Sequence, residues 1–296
     1  METRGGTWRM ATAMAILGSI GLFVVLSGQS PQTVVLFRCL IGAAVLLGWL
    51  AWRGRWQAVD ARAAGWLAVG AAALVGNWLL LFSAYKFSGI AIATVVYQMQ
   101  PFFLLLLAGL AQRELPARHK LPGLAAAFVG VGLAAGLDFR TQHAGVVEGV
   151  LLALGAAFLY ALFTLATRKL PDYPPAQIAG LQLLLGALPM IPLAQFSVAA
   201  LDTRAWSCLL IVGAVHTGLA FNLMYGAFQR LRADTIATLS FIYPVVAVLL
   251  DLVFFGTRLA PLQVLGLLMI LGSMAANQRP APAASPVLRC ARDGVR

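Results

Sequence analysis

Apolar runs of about 20 residues follow one another along this chain, with only short, charged breaks between them. A run of that length crosses the hydrocarbon core of a bilayer as a helix. Only helices and closed barrels can do so, because every backbone amide must be paired internally there. The composition agrees: 61% of the 296 residues are hydrophobic and 10% charged, against about 25% charged in a soluble domain. The spacing predicts ten spans: Trp8–Ser27, Thr33–Trp52, Ala63–Tyr85, Ile90–Ala111, Leu121–Leu137, Gly145–Thr167, Pro175–Gln195, Ala205–Phe228, Thr235–Phe255 and Leu262–Asn277, called spans 1 to 10 below. Span 1 has no convincing cleavage site near Leu26-Ser27-Gly28 and is expected to stay in the mature chain. Span 7 is expected to break near its end at Pro189 and Pro192. The fold class is thus an all-α polytopic membrane protein.

The net charge of +11 does not point to nucleic acid, because no basic surface domain exists to hold it. It follows the positive-inside rule instead. With the N-terminus inside, sixteen of the 21 Lys and Arg fall in inner segments. Four (Lys86, Arg140, Arg204 and Arg258) fall in outer ones, and Arg38 lies within span 2. An even number of spans with both ends cytoplasmic, in a bacterial inner membrane, is the expectation. Cys39, Cys208 and Cys290 show neither disulfide nor metal spacing. The Pro-bearing tail 279–296 reads as disordered.

The chain also repeats itself. Pro101 and Pro244 lie 143 residues apart, as do Gly123 and Gly266, and Ile92-Ala93-Thr94 recurs as Ile236-Ala237-Thr238. The repeat covers five spans, an odd number, so the second copy enters the membrane reversed. Residues 1–140 and 141–278 are expected to be two inverted five-helix repeats, a design that lets one site open to either side in turn.

Polar groups inside spans are costly and are candidates for function. Span 4 carries Thr94, Tyr97, Gln98 and Gln100 beside Pro101, and span 9 carries Ser240 and Tyr243 beside Pro244. Thr94, Gln98 and Pro101 share a helix face by their spacing. Asn77 and Trp78 in span 3, Tyr160 and Phe163 in span 6, and His216 and Asn222 in span 8 complete the candidate substrate site. Arg38, roughly 7–8 Å into span 2 at ~1.5 Å per residue, is expected to pair with Asp251 or Glu148, at similar depth, in a gating or coupling role. Asp251 is also a candidate for proton coupling. The remaining tryptophans mostly sit at span ends, as an interfacial belt. Gly132-x-x-x-Gly136, with Gly130, allows close helix contact in span 5, within a monomer or a weak homodimer.

Leu17-Gly18-Ser19, Pro31 to Arg38, Ile92-Ala93-Thr94 with Pro101, Glu114-Leu115 before Gly123, and Gly149 to Leu154 with Tyr160-Ala161-Leu162 resemble the drug/metabolite transporter superfamily of the ten-helix EamA type. The likeness runs to about Asn277. The run Ser19 to Phe23 with Ser27 to Pro31 looks most like YddG-type exporters of aromatic amino acids. Thr257 departs from the family, which carries an acidic residue there. The resemblance implies export of small metabolites through a central cavity built by spans 1, 3, 4, 6, 8 and 9, with spans 5 and 10 peripheral.

An aromatic cavity with a few amides and hydroxyls suits a small amphipathic molecule, such as an aromatic or neutral amino acid. It suits a sugar phosphate poorly, because a phosphate calls for several buried cations and only Arg38 qualifies. No Walker A, His-Glu-x-x-His or Gly-x-Ser-x-Gly pattern is present, so neither a cofactor, a metal nor an enzymatic reaction is expected. Two other readings stay open: broad drug or cation efflux, and a lipid-carrier flippase component or membrane enzyme.

Overall fold

The computed structural model describes residues 4–112, 121–134, 144–167, 169–170, 172–194, 201–228, 239 and 242–278. Every regular element among them is a helix. Six stretches are long and apolar enough to cross a bilayer by length and composition, and Ile242–Phe255 and Pro261–Ser273 are shorter apolar helices. Leu188, Ile191, Val253, Phe254 and Leu268 are exposed. In lipid such a surface costs nothing.

Three spans start where the sequence supplies a side-chain cap. Span 2 begins at Pro31, whose missing N–H is one the first turn would leave unpaired anyway; Ser30 Oγ accepts from the Thr33 amide at 3.2 Å. Span 3 begins after Asp60, which accepts from the Ala63 amide at 2.6 Å. Span 8 begins after Asp202, which accepts from the Ala205 amide at 2.7 Å. These two aspartates are equivalent in the repeat, and each is followed by x-Arg-Ala. An N-cap of this kind is worth about 1 kcal/mol.

The packing is symmetric under exchange of the halves. Span 1 packs on spans 8 and 9, and its counterpart, span 6, packs on spans 3 and 4. Span 2 packs on spans 7 and 8, and span 7 on spans 2 and 3. Spans 5 and 10 pair with each other at one side, where Gly130 approaches the Gly266 carbonyl. Leu47 lies against Gly180 and Cys39 against Gly186, so span 2 and its counterpart, span 7, run in opposite directions. The structure is therefore two five-helix repeats of inverted topology.

Three spans depart from plain helices. Span 1 breaks at Ser19, between Arg4–Gly18 and Ile20–Leu26. Gly18 at that break faces the Tyr243 carbonyl so closely that a β-carbon would sit 2.6 Å from it. Spans 3 and 4 are two helices within Ala61–Tyr97, joined at Gly89, whose φ 75° and ψ 169° are non-helical and essentially restricted to glycine, at a cost of about 1–3 kcal/mol for other residues. Span 4 then breaks again at Gln98-Met99 and restarts at Gln100. Pro101 explains that second break, since it has no N–H for the Tyr97 carbonyl. Proline was expected near the middle of span 9 as well. Pro244 lies buried on the helix Ile242–Phe255, and residues 240 and 241 before that helix lie outside the described residues. Span 7 was expected to break at its prolines. It runs on through both to Leu193, because they fall in its last turns, where few bonds remain to be lost. Ser240, Ile236 to Thr238, Gly136 and the tail lie outside the described residues.

Candidate functional site

Arg38 stands at the centre of the bundle. It is 3% exposed, with its guanidinium carbon 3.7 Å from the centroid of a Trp78 ring and 5.9 Å from that of Phe82. Trp78, Phe82 and Tyr85 follow i, i+4, i+7 spacing and form one face of span 3. Stacking on a tryptophan face is favourable for a desolvated guanidinium. Its Nε donates to Thr217 Oγ1 at 2.9 Å, across the halves, and the Thr217 hydroxyl donates to the Val212 carbonyl at 3.1 Å.

That last bond depends on a local widening of span 8. Residues Ile211–Leu219 form a π-helix, the kind of bulge that recurs at functional sites. His216 and Thr217 cover the carbonyls five residues back: His216 Nδ1 is 3.2 Å from the Ile211 oxygen. His216 Nε2 lies 3.0 Å from Ser19 Oγ, and its ring packs 5.2 Å from Phe23. The break in span 1 thus meets the bulge in span 8.

The expected ion pair of Arg38 does not form. Asp251 instead accepts from the Ala91 amide at 3.1 Å, and its Oδ2 lies beside Gly89. It caps the start of span 4 from span 9, where exposed helix N–H groups favour a carboxylate. Glu148 is exposed. Equal depth in the membrane brought these residues together on paper, but depth leaves open the direction in which a helix face points.

Spans 3 and 4 also carry a set of buried polar atoms. Asn77 Nδ2 and Oδ1, the Tyr85 hydroxyl, Thr94 Oγ1 and Gln100 Oε1 make no hydrogen bond of good geometry, although Tyr97 lies near Asn77, and Thr94 and Tyr243 lie near Tyr85. Leaving such groups unpaired costs about 1–3 kcal/mol each. All four residues sit on spans 3 and 4. Aromatic rings border them: Tyr97 meets Tyr160 edge-on at 5.8 Å, and Tyr160 meets Phe163 at 5.6 Å. Tyr85, Tyr97 and Tyr243 are close enough to Arg38 to interact electrostatically with it. Gln98 is buried, and Gln100 Nε2 approaches its Oε1 at 3.5 Å.

Of the candidates from the sequence, Asn77, Trp78, Thr94, Tyr97, Tyr160, Phe163 and Tyr243 therefore gather here, joined by Arg38. Asn222 does not. It is exposed on the helix Ala220–Phe228, beyond the π-helix. Tyr85 and Thr217 escaped the sequence reading. The spacing from Trp78 could have marked Tyr85; nothing local marks Thr217. Among the described residues no three His, Cys, Asp or Glu come together as a metal site would require.

The model of the EamA-like transporter family matches this chain twice, at residues 6–136 and 147–277. The chain belongs to the EamA-like transporter family. This EamA-like chain is 32% identical over 279 residues to the uncharacterized transporter YxxF of Bacillus subtilis, covering 90% of this chain and 87% of the relative. It is 26% identical over 216 residues to a probable amino-acid metabolite efflux pump of Salmonella typhimurium, covering 68% and 72%. Over 125 residues it is 30% identical to the threonine/homoserine exporter RhtA of Escherichia coli, covering 41% and 42%. A solved structure at 23% identity covers 92% of this chain and 96% of its own, with a TM-score of 0.62, which supports the fold. The EamA-like protein is thus a multi-pass membrane transporter rather than a protein of an enzyme family.

Proposed function

We propose that this transporter exports small amphipathic metabolites, aromatic or neutral amino acids, by alternating access. The observation that carries the reading is the cluster of unbonded polar atoms at Asn77, Tyr85, Thr94 and Gln100, bordered by Trp78, Tyr97, Tyr160 and Phe163. Buried polar groups without partners await a ligand or water. Aromatic walls with few, placed polar groups are what a small-molecule site looks like. The relatives named as an amino-acid metabolite efflux pump and a threonine/homoserine exporter support the same class. The aromatic border favours a YddG-like preference for aromatic side chains. Residues 1–140 and 141–278 act as the two moving repeats, with both termini cytoplasmic in the bacterial inner membrane. Gly89 and the breaks at Ser19 and Gln98 are the bends that allow movement. Cation efflux is disfavoured, because Arg38 places a buried positive charge at the site.

The test is reconstitution of the full chain in liposomes with a panel of labelled amino acids, with and without a pH gradient. Uptake of aromatic or neutral amino acids, reduced by Asn77→Leu and Tyr97→Ala, is the expected result. No movement of any amino acid would sink the substrate claim.

A further inference from the structure

We propose that Arg38 is the carboxylate-binding residue of this transporter, its two terminal amino groups donating together to both oxygens of a substrate carboxylate. This rests on the transport reading above and narrows it to substrates that carry a carboxylate.

The placement of Arg38 carries the inference. A guanidinium 3% exposed inside a bundle costs several kcal/mol unless an anion or a set of acceptors compensates it. Among the described residues its hydrogen bond is the one from Nε to Thr217, and the two nearby carboxylates are otherwise engaged: Asp251 caps span 4 and Glu148 is exposed. The side chain is nonetheless held in one place. Trp78 covers one face, Phe82 lies farther along the same helix face, and Thr217 fixes Nε. That leaves the Nη1 and Nη2 pair, the edge of the fork that matches a carboxylate in bidentate geometry. A side chain positioned so firmly without its counter-charge is prepared for an anion that comes and goes.

The surroundings complete a binding site for one class of molecule. Beside Arg38 stand Tyr85, Tyr97 and Tyr243. Asn77 precedes Trp78 in the chain, and its amide, which faces Tyr97, makes no hydrogen bond of good geometry at either polar atom. The Asn77 oxygen and the tyrosine hydroxyls can accept from an ammonium, and Tyr160 and Phe163 can take an apolar side chain. The buried carboxylate near Tyr85, that of Asp251, is already engaged by the Ala91 amide. Arg38 and Thr217 belong to opposite halves, so a carboxylate bound here touches the seam along which the halves move.

The experiment uses the full chain in liposomes and labelled L-phenylalanine. Competitors are 3-phenylpropionate, which keeps the carboxylate alone, phenethylamine, which keeps the amine alone, and L-phenylalaninamide. Stabilisation of the detergent-purified chain by 3-phenylpropionate is read as a shift in Tm. The expected result is that 3-phenylpropionate competes and raises Tm, while the amine and the amide are weaker by about 10–100-fold, the worth of a charge-assisted pair. Arg38→Gln should erase the preference for acid over amide, and Arg38→Lys should keep part of it. Size-exclusion profiles show whether the variants fold. If Arg38→Gln does not fold, the wild-type competition series decides alone. Equal competition by amide and acid in the wild type overturns the assignment while leaving amino-acid export standing. A folded Arg38→Gln that keeps the preference overturns it as well. If 3-phenylpropionate raises Tm in an Arg38-dependent way while no amino acid moves, the export reading fails and the Arg38 assignment stands. Absence of both carboxylate binding and competition overturns it.

Discussion

Spans 3 and 8 occupy equivalent places in the two repeats, and they have become different objects. Both start from an aspartate cap, at Asp60 and Asp202. Span 3 then keeps a regular helix as far as Gly89 and presents buried polar atoms that make no hydrogen bond of good geometry, at Asn77 and Tyr85. Span 8 widens into a π-helix, and there His216 and Thr217 are bonded. A duplicated scaffold has divided its labour. One copy holds buried polar groups that the proposed function assigns to a ligand, and the other uses its polar groups to hold Arg38 and the break in span 1. Unsatisfied groups cost stability and give affinity; satisfied ones give rigidity.

The same chemical change on the two sides should break or sharpen that contrast. Thr217→Val keeps the shape but leaves the Arg38 Nε without its acceptor and removes the hydroxyl bond to the Val212 carbonyl. It should destabilise the purified chain by about 1–3 kcal/mol, visible as a lower Tm, and reduce transport. Gly89→Ala forces a β-carbon into a positive-φ, extended-ψ conformation that is essentially glycine's alone and should cost about 1–3 kcal/mol. Span 8 has no such bend, and Ala replacement at its Gly213 should act through crowding against Ile41 instead. Their thermal unfolding curves test this, with a neutral Gly89→Ala counting against the bend as a strained point. Asp251→Asn removes charge but keeps an acceptor for the Ala91 amide. The loss should be about 0.5 kcal/mol, since only the charge-dipole part of the cap goes. The pH dependence of transport should stay the same; its disappearance would make Asp251 a coupling site rather than a cap. Thr94→Val removes a hydroxyl that makes no hydrogen bond of good geometry. It should leave Tm unchanged or slightly higher while lowering transport. If Thr94→Val destabilises as much as Thr217→Val, the contrast between the spans is wrong.

The candidate site was partly legible before the structure. Asn77, Trp78, Tyr97, Tyr160 and Phe163 could be singled out because polar and aromatic groups deep in apolar runs are rare and costly. Asn222 passed the same test yet is exposed, because polarity in an apolar run marks a residue as unusual without saying which way its helix face points. Arg38 was recognised as unusual and given the wrong neighbour. Thr217 could not be recognised at all: beside His216 it looks like any threonine in a helix, and its importance comes from Arg38, 179 residues away.

Sequence alone determined the ten spans, the charge bias between the two sides and the duplication with reversal. These depend on quantities that run along one dimension: the length of an apolar stretch, the sign of the loops, the distance between like motifs. Only the tertiary structure decided which helix faces meet. That is an angular quantity, and a single π turn, a positive φ at Gly89 or a proline break at Gln98 resets it for everything that follows. The pairing of Arg38 with Trp78 and Thr217, rather than with a carboxylate of equal depth, is the clearest result of that difference.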